Sequence, residues 1–211
     1  MLPAEQNRAS LSSDAVLHHF GERAETYAAS CARAPWSWLR RRECDAVFHA
    51  LGDVKERAVL DLGCGAGFYA CQALVRGASA VTGIDKSPEM VRATPRLAGL
   101  HVQQGDAEAL EVAGVFDRIV CAGLLEFAAS PMLVLSGARQ VVRDNGWMVV
   151  LIPRESWVAR RYAGWHSRHG IQIKLFSSAF LGELARQTNW VVADIWSVWP
   201  MSHVVRLDPA L

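Results

Sequence analysis

No sign of charge dominates this sequence. Lysine and arginine total 22 against 21 aspartates and glutamates, a formal net charge of +1. That balance excludes a strongly electrostatic grip on DNA or on an anionic membrane surface. No apolar run approaches the length that crosses a bilayer, and no repeat or low-complexity linker interrupts the chain. The five cysteines, Cys31, Cys44, Cys64, Cys71 and Cys121, form neither a C-x-x-C pair nor a metal-ligand spacing. No metal is expected, and an odd count without a signal peptide implies a reducing, cytoplasmic setting. Basic residues are mostly arginine, with runs at Arg40-Arg41-Arg42 and Arg160-Arg161 that read as solvated helix faces. At 211 residues, half of them hydrophobic, the chain suits one domain with a single good core.

What is present centres on Val59-Leu60-Asp61-Leu62-Gly63-Cys64-Gly65-Ala66-Gly67-Phe68-Tyr69. The apolar run Ala58 to Leu62 lacks polar alternation, so it predicts a strand buried on both faces. Glycines at alternate positions let the main chain turn and let a ligand approach it closely. Helical spacing returns from Phe68 to Arg76, and a strand–turn–helix unit in an open parallel sheet places a ligand at the strand's carboxyl end. The dinucleotide fingerprint is G-x-G-x-x-G; here an acidic residue precedes evenly spaced glycines. Asp61-x-Gly63-Cys64-Gly65-x-Gly67 resembles motif I of the class I S-adenosylmethionine-dependent methyltransferases, in its D-x-G-C-G-x-G form.

Further segments carry the same resemblance. A second strand, Ala80 to Ile84, ends at Asp85, where the family uses an acidic side chain to accept from both ribose hydroxyls. Lys86-Ser87-Pro88-Glu89-Met90 resembles the D-x-S-x-x-M segment: Ser87 caps the next helix, and Lys86 and Met90 flank the adenine, unless Met90 is simply core. The third strand begins near His101-Val102. Beyond it, Gly105-Asp106-Ala107 resembles the adenine site, with Asp106 accepting from the exocyclic amine and the Ala107 backbone donating to a ring nitrogen. The fourth strand, Val115 to Cys121, brings Cys121 to the cofactor end and keeps Asp117 structural at its start. After it, Ala122-Gly123-Leu124-Leu125-Glu126-Phe127 lies where the methyl meets its acceptor, with Phe127 where many relatives have histidine. Neither N-P-P-[YFW] nor a Pro-Cys nucleophile is present, which disfavours base methylation.

Towards the N-terminus, Met1 to about Ser12 is polar and expected to fray. Ser13-Asp14 caps a helix carrying Phe20, Ala24 and Tyr27, similar to an F-x-x-x-A-x-x-Y segment of small-molecule methyltransferases. Tyr27 either covers the methionine end of the cofactor or is a core tyrosine. A second helix runs from near Pro35 to Gly52, with Trp36 and Trp38 in core or lid packing. Pro131 opens a helix running to Arg143, Asp144-Asn145-Gly146 turns, and Trp147 to Ile152 is the fifth strand. Residues 154–176 leave the alternation and supply a substrate cap. Within it, His166 and His169 are candidate general bases, against a plainer reading as surface histidines. Ser177-Ser178 caps a last helix with Phe180, Leu181, Leu184 and Ala185 inward, and two strands follow.

The resemblance implies a three-layer α-β-α fold with a mainly parallel seven-stranded sheet, order 3-2-1-4-5-7-6, ending in an antiparallel hairpin. It divides the single domain 1–211 into lid helices (13–52), cofactor-binding core (53–153), cap (154–176) and C-terminal helix and strands (177–207). It implies a cytoplasmic enzyme binding S-adenosyl-L-methionine through Asp61, Gly63, Cys64, Gly65, Gly67, Asp85, Lys86, Met90, Asp106, Ala107, Cys121 and Tyr27. The subgroup it resembles includes the ubiquinone/menaquinone and biotin-pathway methyltransferases, so the expected partner is a small-molecule acceptor. No DNA and no membrane span are expected, and the chain acts as a monomer or homodimer. The sulfonium is already a strong electrophile, so the protein's task is alignment and exclusion of water. Two other readings stay open: a cofactor-binding pseudoenzyme or activating subunit, with a closed cavity above Gly123–Phe127, and a protein or RNA methyltransferase with both arginine runs on one face.

Overall fold

The structure, a computed structural model, describes residues 36–168 and 170–210. The expected helix through Tyr27, and His169, lie outside the described residues.

Seven strands run through the described chain: β1 (Ala58–Leu62), β2 (Ala80–Asp85), β3 (Leu100–Gln104), β4 (Phe116–Ala122), β5 (Val142–Pro153), β6 (Trp190–Val198) and β7 (Ser202–Pro209). Their order is β3-β2-β1-β4-β5-β7-β6, the order expected from the sequence. The first five are parallel, and β7 is antiparallel to both neighbours. Helices α1 (Trp36–Leu51) and α2 (Phe68–Val75) precede and follow β1; α3 (Pro88–Ala93), α4 (Pro131–Val141), α5 (Trp157–Ser167) and α6 (Ser178–Gln187) complete the set. One apolar layer joins Val47, Leu51, Ala70 and Ala73 to Val120 and Val149. The other joins Leu135, Leu184 and Trp190 to Leu60, Ile119 and Met148. Burial on both faces explains why β1, β4 and β5 read as continuous apolar runs.

The end of α1 is held by side chains that reach its last carbonyls. Arg118 Nε donates to Leu51 O at 3.1 Å, and Trp147 Nε1 donates to Ala50 O at 3.2 Å. These acceptors have no partner within the helix, so the pair docks α1 by satisfying them. The Arg118 guanidinium lies over the Trp147 ring, and burial pulls its pKa down to about 10, leaving it charged at neutral pH. Asp117 is structural, as expected: Oδ2 accepts from Ala58 N at 2.9 Å.

Two boundaries differ from expectation. α4 stops at Val141, and β5 begins at Val142, opposite Phe116, before the register jumps so that Arg118 faces Trp147. Residues 143–146 bulge out of the strand rather than forming a separate turn. Gly146 makes this feasible, since a Cβ there would lie 2.7 Å from Asp117 O. Phe180 is 49% exposed, not inward. It sits in the first turn of α6, where Ser177 Oγ caps its N–H, and the buried stripe begins one residue later at Leu181.

Candidate functional site

The sheet reverses direction of winding between β1 and β4, and the crevice outside the carboxyl ends there is where open α/β sheets take ligands. The β1–α2 loop forms one wall. Gly63 N and Cys64 N both donate to Ile84 O, at 2.8 and 3.0 Å, tying the loop to β2. Gly63 (φ 68°) and Gly67 (φ 82°) take left-handed conformations that exclude most side chains. Added Cβ atoms there would also meet Leu124 at 3.0 Å and Thr94 Cγ2 at 2.7 Å. Asp85 braces the middle of the loop: Oδ2 accepts from Gly65 N at 2.7 Å while Oδ1 accepts from Ser87 N at 2.9 Å. Burial raises the Asp85 pKa against the lowering effect of these two bonds.

Beneath the loop, Asp61 is almost wholly buried, and its Oδ2 has no hydrogen-bond partner. Burial, with the Asp85 charge adding to it, pushes its pKa up to about 8 despite a hydrogen bond from the Ala70 backbone. Met90 is buried under Gly65, with Ser87 Oγ accepting from its N–H at 3.3 Å, so the expected cap on α3 is present. Cys64 turns its sulfur onto Gly83, where a Cβ would lie 2.9 Å away, so its backbone rather than its thiol faces the crevice. Cys121, expected at the cofactor end, is fully buried in the apolar layer, and burial raises its thiol far above the ordinary range.

Beyond β3, Asp106 Oδ1 accepts from Glu108 N at 2.9 Å and Oδ2 pairs with Lys86 Nζ at 2.9 Å. Lys86 thereby ties the end of β2 to the segment after β3. Burial works against ionisation of Asp106, but the Lys86 bond and charge prevail and its pKa is lowered. Ala107 is buried at the start of a short 3-10 turn. Glu108 was not singled out in the sequence, yet its two oxygens accept from Ala129 N and Ser130 N at 2.9 and 2.8 Å. It thereby links this turn to the segment after β4.

That segment forms the opposite wall. Gly123 is exposed, so among the described residues the position above it is not closed. Glu126 is buried beside it, with Oε1 about a van der Waals contact (3.8 Å) from where a Gly123 Cβ would lie and Oε2 without a hydrogen-bond partner. Burial pushes its pKa up to about 8, and the Glu43 charge acts in the same direction. Glu43, on α1, is itself raised by burial and accepts from Ser202 Oγ at 2.5 Å. His166 is not a surface histidine: it is buried, its ring 4.5 Å from Tyr162, 4.7 Å from Trp165 and 6.4 Å from Phe127. Among the described residues no histidine–cysteine–carboxylate group could hold a metal ion.

A family described as "Methyltransferase domain" matches residues 36–195. The chain belongs to this family. Its methyltransferase fold matches the complex between the Haloferax volcanii Trm112 methyltransferase activator and a methyltransferase, at a TM-score of 0.75 and 18% identity, over 91% of this chain and 98% of that one. A DhpI–SAH complex matches at a TM-score of 0.74 and 18% identity, over 94% and 97% of the two chains. A tRNA U34 carboxymethyltransferase of Shewanella baltica is 34% identical over 125 residues, which is 56% of this chain and 36% of that protein. The chain thus spans little more than a third of the length of that relative.

The methyltransferase domain takes S-adenosyl-L-methionine as its cofactor, and the residues present fit it. The two glycines leave main chain bare where side chains would stand, and the orphaned Asp61 oxygen complements a cation. The expected partner, a small-molecule acceptor, is corrected: the curated relative carries tRNA in its name, and the Haloferax methyltransferase is bound to a protein activator. Its sequence signals lay in a scaffold shared by many acceptor types, and such a scaffold does not specify the acceptor. Among the described residues, no helix is long and apolar enough to cross a membrane.

Proposed function

We propose that the protein transfers a methyl group from S-adenosyl-L-methionine to an RNA acceptor, tRNA first among them. The observation that carries this is the surface around the crevice. Trp38 on α1 packs edge-on against Trp199 in the β6–β7 turn at 6.0 Å, and Arg154, just ahead of α5, donates its backbone N–H to Met201 O in the same turn at 2.8 Å. The start of α1 and the residue ahead of α5 thus both meet one turn at the carboxyl end of the sheet, and the two helices carry exposed Arg41, Arg42, Arg160 and Arg161. Exposed Trp38, Trp157 and Trp199 stand among them. Guanidinium groups neutralise phosphates, and aromatic planes stack on unpaired bases, which is how single-stranded RNA is held. A net charge of +1 is no obstacle, because phosphate contacts are local.

Within the crevice, the cofactor supplies an activated methyl group, and the chain's residues bind and orient it. Gly63, Cys64, Gly65 and Gly67 offer bare main chain; Asp85, on the lone pairs that Gly65 and Ser87 leave free, accepts from the ribose; Asp106 and Ala107 meet the adenine; Met90 is the floor. Asp61 complements the methionine ammonium. Cys121 has no part.

The test is transfer of labelled methyl from S-adenosyl-L-methionine to bulk tRNA, set beside total soluble protein. Label that enters tRNA and is released by ribonuclease is the expected result. Replacing Arg41, Arg42, Arg160 and Arg161 together by alanine should lower tRNA affinity by at least about tenfold and flatten its salt dependence, with S-adenosylhomocysteine binding intact. Label in the protein fraction alone, or in neither, refutes the RNA reading.

A further inference from the structure

We propose that Glu126 is the proton acceptor of the transfer: it faces the methyl position across the β1–β4 crevice and takes the proton that the acceptor's oxygen or nitrogen loses. The inference rests on the methyltransferase reading above, and its tests separate the two.

Four observations place it there. Glu126 follows β4 on the wall opposite the glycine loop, at the reversal point where the ligand must lie. The residue is buried, and its Oε1 lies 3.8 Å from where a Cβ on the exposed Gly123 would stand, which sets the carboxyl against the backbone of the crevice wall. Its Oε2 is a buried oxygen with no partner, which is costly unless a bound group completes it. The segment holding it is fixed from two sides: Lys174 N donates to Glu126 O at 3.0 Å and Lys174 Nζ to Ala128 O, while Glu108 clasps the N–H groups of Ala129 and Ser130. The carboxyl is thus presented by a rigid frame, as proton transfer in a positioned complex requires.

The chemistry balances without a further reagent. The acceptor atom's lone pair forms the bond to the methyl carbon as the carbon–sulfur bond breaks. That bonding pair stays on sulfur, turning the sulfonium into a neutral thioether, and the acceptor's proton moves to the Glu126 carboxylate and later to solvent. The groups facing Glu126 set when it is ionised. Burial and the like charge of Glu43 on α1 keep it protonated to about pH 8. Asp61 on β1 and the Cys121 thiol on β4 face the same region, Lys174 anchors the loop from the cap, and His166 stands behind Phe127 on α5. A bound sulfonium nearby adds the positive charge that favours the carboxylate.

The first test needs no acceptor. Calorimetric titration in buffers of differing ionisation enthalpy measures protons released on binding at pH 7. S-adenosyl-L-methionine should release most of one proton more than S-adenosylhomocysteine, which lacks the charge on sulfur, and Glu126→Gln should abolish that difference with S-adenosylhomocysteine affinity retained. Equal release for the two ligands in the wild type, or an unchanged difference in the variant, overturns the proposal. The second test is single-turnover transfer to tRNA. Glu126→Gln should slow it by about 10²–10⁴-fold, Glu126→Asp should retain part of the rate, and Glu43→Gln should move the rising limb of the pH profile to lower pH. Should Glu126→Gln transfer as fast as the wild type, the assignment fails. A wild type that shows the proton difference but methylates no RNA sinks the RNA reading and leaves Glu126 standing.

Discussion

Asp61→Asn should make the protein more stable and worse at holding its cofactor. The wild-type carboxyl is buried, one oxygen is unpartnered, and its pKa lies near about 8 against an ordinary value of 3.8. The folded state therefore retains a proton that the unfolded chain has released, and stability falls as pH rises between those values. Below the unfolded value the penalty is absent; above the folded value it is complete. At pH 7 the difference of roughly three units amounts to about 4 kcal/mol, and between pH 5 and pH 7 it grows by about 3 kcal/mol. Asparagine has nearly the same shape and does not titrate, though its extra N–H costs about 1–3 kcal/mol if unpartnered. The slope is thus more diagnostic than the absolute gain. Urea unfolding followed by tryptophan fluorescence at pH 5, 6 and 7 supplies it. Asp85 and Glu126 titrate upward in both proteins, so they cancel in the difference. A wild-type-minus-variant difference that is flat across this range refutes a protonated Asp61. The same variant should bind S-adenosyl-L-methionine at least about tenfold more weakly, because it cannot ionise to meet the ligand's ammonium.

Asp85→Ala removes the brace on Gly65 and Ser87 and the proposed ribose acceptor together, and charge-assisted bonds of about 1.5–3 kcal/mol each imply an affinity loss of about 100-fold or more for S-adenosylhomocysteine by calorimetry. Gly67→Ala places a Cβ 2.7 Å from Thr94 Cγ2 at φ 82°, and should lower stability by about 1–3 kcal/mol in thermal unfolding; adding Thr94→Ser deletes the clashing methyl and should restore part of the loss, and no restoration would show that backbone strain alone acts. Arg118→Met leaves Leu51 O without its donor and removes the stack on Trp147, so it should cost about 2–4 kcal/mol and loosen α1 first, seen as faster hydrogen exchange near its C-terminus.

Much of this protein is written in local patterns. Alternating glycines at 63, 65 and 67 predict a tight turn because only glycine tolerates those backbone angles so readily, and the turn is there. Ser87 and Ser177 cap α3 and α6, and the apolar runs of β1, β4 and β5 are buried on both faces. Such signals depend on neighbours a few residues away, so the elements themselves were legible, while the strand order and the class of cofactor came from the resemblance carried by Asp61 to Gly67 and the segments after it. Other decisions rest on distant partners. The bulge at 143–146 depends on β4 approaching Gly146, and Cys121 lies in the apolar layer because its side of β4 faces α4. Glu126 was only one letter in a segment until packing left its oxygen unpartnered, and Glu43 meets Ser202 across a separation of 159 residues. Burial sets the protonation of these acids, and burial is a property of the assembled layers, because the cost of stripping water from a charge depends on everything packed around it.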